Sequence, residues 1–138
     1  MDGSISVLRL FSVLTVFMAL VISLFTRQVG AAAAQGAADA AAIAVTDLVP
    51  PGWDCTEAGL PIGAAATAAR AAVDRTVQLA AVQPTAVAVR ADPTCSVIVS
   101  VRVESDGWLG AGNALGVACR RPPTAEGAAL RAPVAPPC

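Results

Sequence analysis

Histidine, tyrosine and lysine are absent from this chain of 138 residues. Without histidine, the commonest general base and metal ligand is missing. Activation of a serine or cysteine nucleophile by histidine is excluded within the chain. Charged residues are sparse, and the formal net charge is −1. No basic stripe of the kind that binds nucleic acid is present. The nine basic residues are all arginine, which, with heavy use of Ala, Gly, Pro and Val, reflects GC-rich coding. Four cysteines occur, Cys55, Cys95, Cys119 and Cys138, but no Cys-x-x-Cys pair. Their wide spacing does not match a zinc site. The residues therefore lead us to expect no enzyme, cofactor, metal or small-molecule substrate, and no nucleic-acid partner.

A long apolar run is present. Leu10 to Thr26 carries no charge, and counting from Ile5 only Arg9 interrupts it. A helix from Ile5 to Phe25 rises roughly 30 Å, the thickness of a bilayer core. Arg9 lies close enough to one end to snorkel to the headgroups, and Arg27 closes the other. The alternative is a cleaved signal peptide with a small-residue site within Ala31–Ala34. A retained anchor is favoured, because the run is long for a signal sequence and Arg27 and Gln28 separate it from those alanines. Arg9 and Arg27 flank the span almost symmetrically, so charge does not set its orientation. The cysteines do: all four follow the span, and disulfides persist in oxidising compartments. The expected topology is a single-pass membrane protein with its N-terminus cytoplasmic and its C-terminal domain outside.

Beyond Arg27 the chain is rich in alanine, the best helix former, with no proline before Pro50. The membrane helix should continue to about Leu48, where Pro50-Pro51-Gly52 stops it. Asp39 would then stand on the order of 20 Å beyond the bilayer surface. Gly30, Ala34, Gly36 and Ala40 place small residues at near four-residue spacing, a pattern that allows close helix packing. Trp53 to Glu57 reads as a loop whose acids are solvated. A second helix is expected from about Gly63 to Val82, with Ala66, Ala69, Val73, Val77 and Ala80 on one face and Arg70, Asp74 and Gln78 opposite.

Three strands follow. Ser96 to Glu104 alternates strictly, with Val97, Val99, Val101 and Val103 on one face. Thr85 to Ala91 alternates before it, and Asp92-Pro93-Thr94 supplies the turn of an antiparallel hairpin. A third strand, Ala114 to Arg120, would point Leu115, Val117 and Cys119 inward, joined through a Gly107–Gly112 loop carrying Trp108. Pro122 to Pro137 is rich in proline and alanine and should hold little regular structure. The division expected is a membrane helix with its extension (1–48), a small extracytoplasmic α+β domain (49–121) and a tail (122–138). The fold class is α+β, with the second helix packed on a three-stranded antiparallel sheet. Four cysteines allow three pairings. Cys55–Cys95 with Cys119–Cys138 is favoured, since it pins the segment before the second helix and tethers the tail; the crossed pairings stay open.

This order of elements, with Ala-rich stretch 31–44 and its Asp39 following a near-N-terminal apolar helix, resembles the TadE-like minor pilins (pseudopilins) of Tad, or Flp-type, pilus systems. The similarity is to their short actinobacterial versions and covers roughly residues 3–121. Those often begin with a Gly-Ser pair, as Gly3-Ser4 does here, and carry cysteines before the second helix and before the long strand, as Cys55 and Cys95 do. The chain departs from many pilins at Leu8, where they hold a Glu five residues after the glycine of the cleavage site. The resemblance implies assembly by packing, with other minor pilins or secretion-machinery proteins as partners. An envelope binding module unrelated to pili is the alternative, suggested by exposed edge strands and the Trp108 loop.

Overall fold

The computed structural model describes residues 2–78, 80, 82–107, 110–123 and 138. Trp108 and nearly all of the tail lie outside them. Helix α1 runs without a break from Asp2 to Thr46, about 67 Å at the usual rise. Its composition explains its length, because apolar and alanine residues succeed one another with no proline. Its last turn tightens, with Leu48 N–H donating to the Val45 carbonyl at 3.1 Å and Val49 N–H to that of Thr46 at 3.3 Å. The chain then reverses at Pro50-Pro51-Gly52-Trp53. Trp53 N–H donates to the Pro50 carbonyl at 3.1 Å, and Gly52 takes φ 73°. Proline second and a left-handed glycine third is the signature of a type II turn.

Helix α2 (Ile62–Val77) returns alongside α1 and reaches β1. It stops at Val77 and not at Val82, and its buried stripe is Ala65, Ala69, Ala72, Val73 and Val77. Ala66, expected on that stripe, is half-buried. The stripe is wider than a single four-residue row because α2 is gripped both by α1 and by the sheet.

Strands β1 (Gln83–Ala91), β2 (Val97–Gly107) and β3 (Gly110–Arg120) form an antiparallel sheet in that order. A register shift lies between Pro84 and Ala86, on the edge strand where a proline costs no ladder bond. Val97, Val99, Val101 and Val103 are fully buried, as their alternation requires. Each contributes about 1.5–3 kcal/mol relative to exposure. Against them pack Ala34, Ala37, Ala38, Ala41, Ala42 and Val45 of α1. The second half of α1 is thus the spine of the domain core, while the large apolar residues from Val7 to Phe25 stay exposed.

Two expectations for β3 are corrected. The connecting loop is shorter than Gly107–Gly112, since Gly112 already pairs with Ser105 and Gly107 with Gly110. The inward face is also the opposite one. Ala114, Gly116 and Ala118 turn toward α1, and Leu115 and Val117 are 59% and 48% exposed. Cys119 shares their side of the strand. Bulk lost to proximity here, because the helix backbone lies too close to β3 for a branched side chain.

Candidate functional site

The side chains that define this molecule follow α1, where one helix changes role along its length. Its first part is long and apolar enough to cross a membrane, and the most apolar window has no buried residue. From Gly30 onward the same helix runs parallel to β3. A Cβ placed on Gly30 would lie 3.9 Å from that of Ala114. Higher up, one placed on Gly116 would overlap the Ala34 carbonyl and lie 2.6 Å from the Gln35 nitrogen. Next, the Gln35 side-chain amide donates to the Val117 carbonyl at 3.0 Å and accepts from the Val117 N–H at 3.3 Å. Last, the Arg120 guanidinium meets the Asp39 carboxylate at 3.6 Å. Gln35 therefore caps the otherwise open edge of β3 with two bonds, which blunts a template for strand addition.

Of the four small residues singled out on α1, Gly30 and Ala34 are buried in this seam and Ala40 is half-buried. Gly36 is different: it is exposed, and a Cβ there meets nothing within 4 Å. Gly36 lies two residues past Ala34, about 200° round the helix and away from the sheet, whereas the row of Gly30 and Ala34 continues in the buried Ala38 and Ala42. Sequence reasoning missed Gly116 and Gln35. A signal for the first existed in Ala114-Leu-Gly-Val-Ala118, where small residues recur with the strand's period of two.

The cysteines lie at the other end of the sheet. Cys55 is bonded to Cys95 and Cys119 to Cys138, with Cα separations of 5.2 and 5.4 Å. Cys55 N–H also donates to the Cys95 sulfur at 3.1 Å. Asp54 lies near both sulfurs of the first bridge. That trio is no metal centre in this state, because a metal needs the thiolate and both sulfurs are committed to one another. Trp53 donates from Nε1 to the Ala58 carbonyl at 2.7 Å and packs on the core.

Two aspartates hold the loops that carry this bridge. Asp92 accepts from the Thr94 hydroxyl at 2.6 Å, the Thr94 N–H at 2.9 Å and the Ser96 N–H at 2.9 Å. Asp54 accepts from the Thr56 hydroxyl and N–H at 2.6 and 2.8 Å. The Thr94 hydroxyl first, then the Ser96 N–H, hold Asp92 below the ordinary carboxylate range. The Thr56 hydroxyl does the same for Asp54. A carboxyl that is more acidic folded than unfolded stabilises the fold above its unfolded value of about 3.9, and that contribution is lost as the pH falls through the lower, folded one. Thermal melts should show the midpoint falling as acid is added below about pH 4. Asp92→Asn should flatten that fall, and an unchanged profile would show that Asp92 does not contribute to it.

Comparison with family models, with curated proteins and with solved structures finds no match in any of the three.

Proposed function

We propose that the chain is a structural, TadE-like minor-pilin component of a Tad-type pilus or secretion apparatus, working by helix and domain packing and not by chemistry. One observation carries the reading. A single uninterrupted helix has an apolar first half whose large side chains are exposed and a second half that forms the spine of a sheet domain. Such a helix suits a subunit held in the bilayer at one end and displayed outside it at the other. The bonded cysteines agree with an oxidising, extracytoplasmic location for the domain. The residue inventory, which lacks histidine, offers no activated nucleophile.

Affinity capture of the full chain from cross-linked native membranes should recover other minor pilins or secretion-machinery proteins. Recovery of none would count against assembly. Orientation is tested separately with a membrane-impermeant thiol reagent on intact cells. Labelling should appear only after an external reductant, and thiols that are reduced and reachable only from the cytoplasm would overturn the topology.

A second reading, an envelope binding module unrelated to pili, is favoured by the outward Leu115 and Val117 on β3. Loss of one partner in a Leu115→Ser variant with pili intact would support it over assembly.

A further inference from the structure

At the foot of the seam, α1 and the start of β3 enclose a groove of about 420 Å³ lined by Arg27, Gly30, Ser105, Asn113 and Leu115 among others. Its height is informative. The headgroup layer of a bilayer is roughly 5–7 Å deep on each side. Arg27 to Ala31, the α1 wall of the groove, spans about 6 Å directly after the apolar run ends. If the run fills the hydrocarbon core, the groove opens at the level of lipid phosphates.

Its chemistry is that of an anion site. Both hydrogen-bonding groups of Val117 face Gln35, away from β2. The β2–β3 register is continuous from Val97 to Gly107. In an antiparallel strand the outward groups recur every second residue. The N–H groups of Leu115 and Asn113 therefore point out of the same edge, below the reach of Gln35, where both residues line the groove. Arg27 is exposed and makes no ion pair among the described residues. On the outer face Glu104 and Arg102 stand opposite Asn113 and Leu115 and offset one another. Asp106 lines the neighbouring cleft with Phe25 and Val29. Arg27 is the one charged residue among those lining the groove itself. Outward carbonyls of Asn113 and Leu115 can accept from headgroup hydroxyls, and the neighbouring cleft of about 210 Å³ is lined by Phe25, Val29 and Val82 for acyl carbons.

We propose that this groove holds the phosphate of an anionic, hydroxyl-bearing phospholipid, with Arg27 as its ionic partner and the free edge of β3 as its hydrogen-bonding wall. The inference rests on α1 being membrane-inserted, as the proposed function requires.

The test is native mass spectrometry of the full chain in detergent, titrated with phosphatidylglycerol or phosphatidylcholine. Both lipids offer the phosphate, but Arg27 repels the choline cation of phosphatidylcholine and not the neutral glycerol of phosphatidylglycerol, so wild type should retain phosphatidylglycerol about tenfold better. Arg27→Gln should abolish the preference. Asn113→Asp, which adds a like charge at the rim of the groove without touching α1, should weaken it as well. Equal retention of the two lipids by wild type, or an unchanged preference in both variants, would overturn the site. Displacement of the lipid by millimolar inorganic phosphate would assign the groove to a soluble anion and overturn the lipid. Alkaline carbonate extraction separates this inference from its foundation. Release of wild type from membranes would overturn the anchor, whereas retention without lipid preference would overturn the groove alone.

Discussion

Substituting Gly116 with valine should cost the domain about 3 kcal/mol or more, the upper end for overpacking a well-filled core. What the new side chain meets is the Ala34 carbonyl and the Gln35 nitrogen, helix backbone that cannot rotate out of the way. Relief requires α1 and β3 to separate. Separation would also break the Gln35 bonds to Val117 and lengthen the Asp39–Arg120 contact. Chemical denaturation of the purified chain in detergent, followed by the far-ultraviolet signal of the sheet, should show a large drop in midpoint. Gly36→Val is the matched control on α1. Nothing lies within 4 Å of that position, and valine is a slightly better helix former than glycine, so no loss is expected, only a gain of about 0.3 kcal/mol. Equal effects at the two sites would show that the seam is not as close as described.

Removing the Cys55–Cys95 bridge should have an effect of similar size. It closes a loop of 40 residues, for which chain entropy alone gives about 4 kcal/mol. The loop spans the segment before α2, all of α2 and all of β1, so the unfolded chain gains the freedom of both elements when it opens. Cys95 also sits at φ 60°, a left-handed conformation costing roughly 1–2 kcal/mol in an L-residue. The bridge helps to hold it there. Cys55→Ser with Cys95→Ser should therefore lower the denaturation midpoint more than Cys119→Ser with Cys138→Ser, whose loop of 19 residues gives about 3 kcal/mol. The reverse order would show that the second bridge does more than shorten a tail.

Much of this architecture was legible in the residues, and the exceptions share a cause. The long helix and the central strand depend on local pattern: an apolar run followed by alanines, and valines at every second place. Those patterns survive folding because nothing competes with them. The third strand was misread because its largest side chains suggested the core face, whereas α1 approaches so closely that only Ala114, Gly116 and Ala118 fit beneath it. Contact distance between elements is a tertiary quantity, and a single strand's hydrophobicity does not encode it. The end of α2 was placed five residues late for a related reason. The apolar pattern continues to Val82, but Gln78 to Val82 must carry the chain across to β1. Gln35 was invisible as an edge cap, since a glutamine on an alanine helix announces no partner 82 residues away.

The absence of any joint in α1 has a mechanical consequence. A rod whose upper half is welded into a sheet transmits to that sheet any torque applied to its lower half. Gly30 is buried beside β3, and beyond it Gln35 and Asp39 tie the helix to Val117 and Arg120. Any tilt or rotation imposed on the lower half must swing the whole sheet through the same angle, which makes the orientation of the outward strand face a direct readout of how the lower half is held.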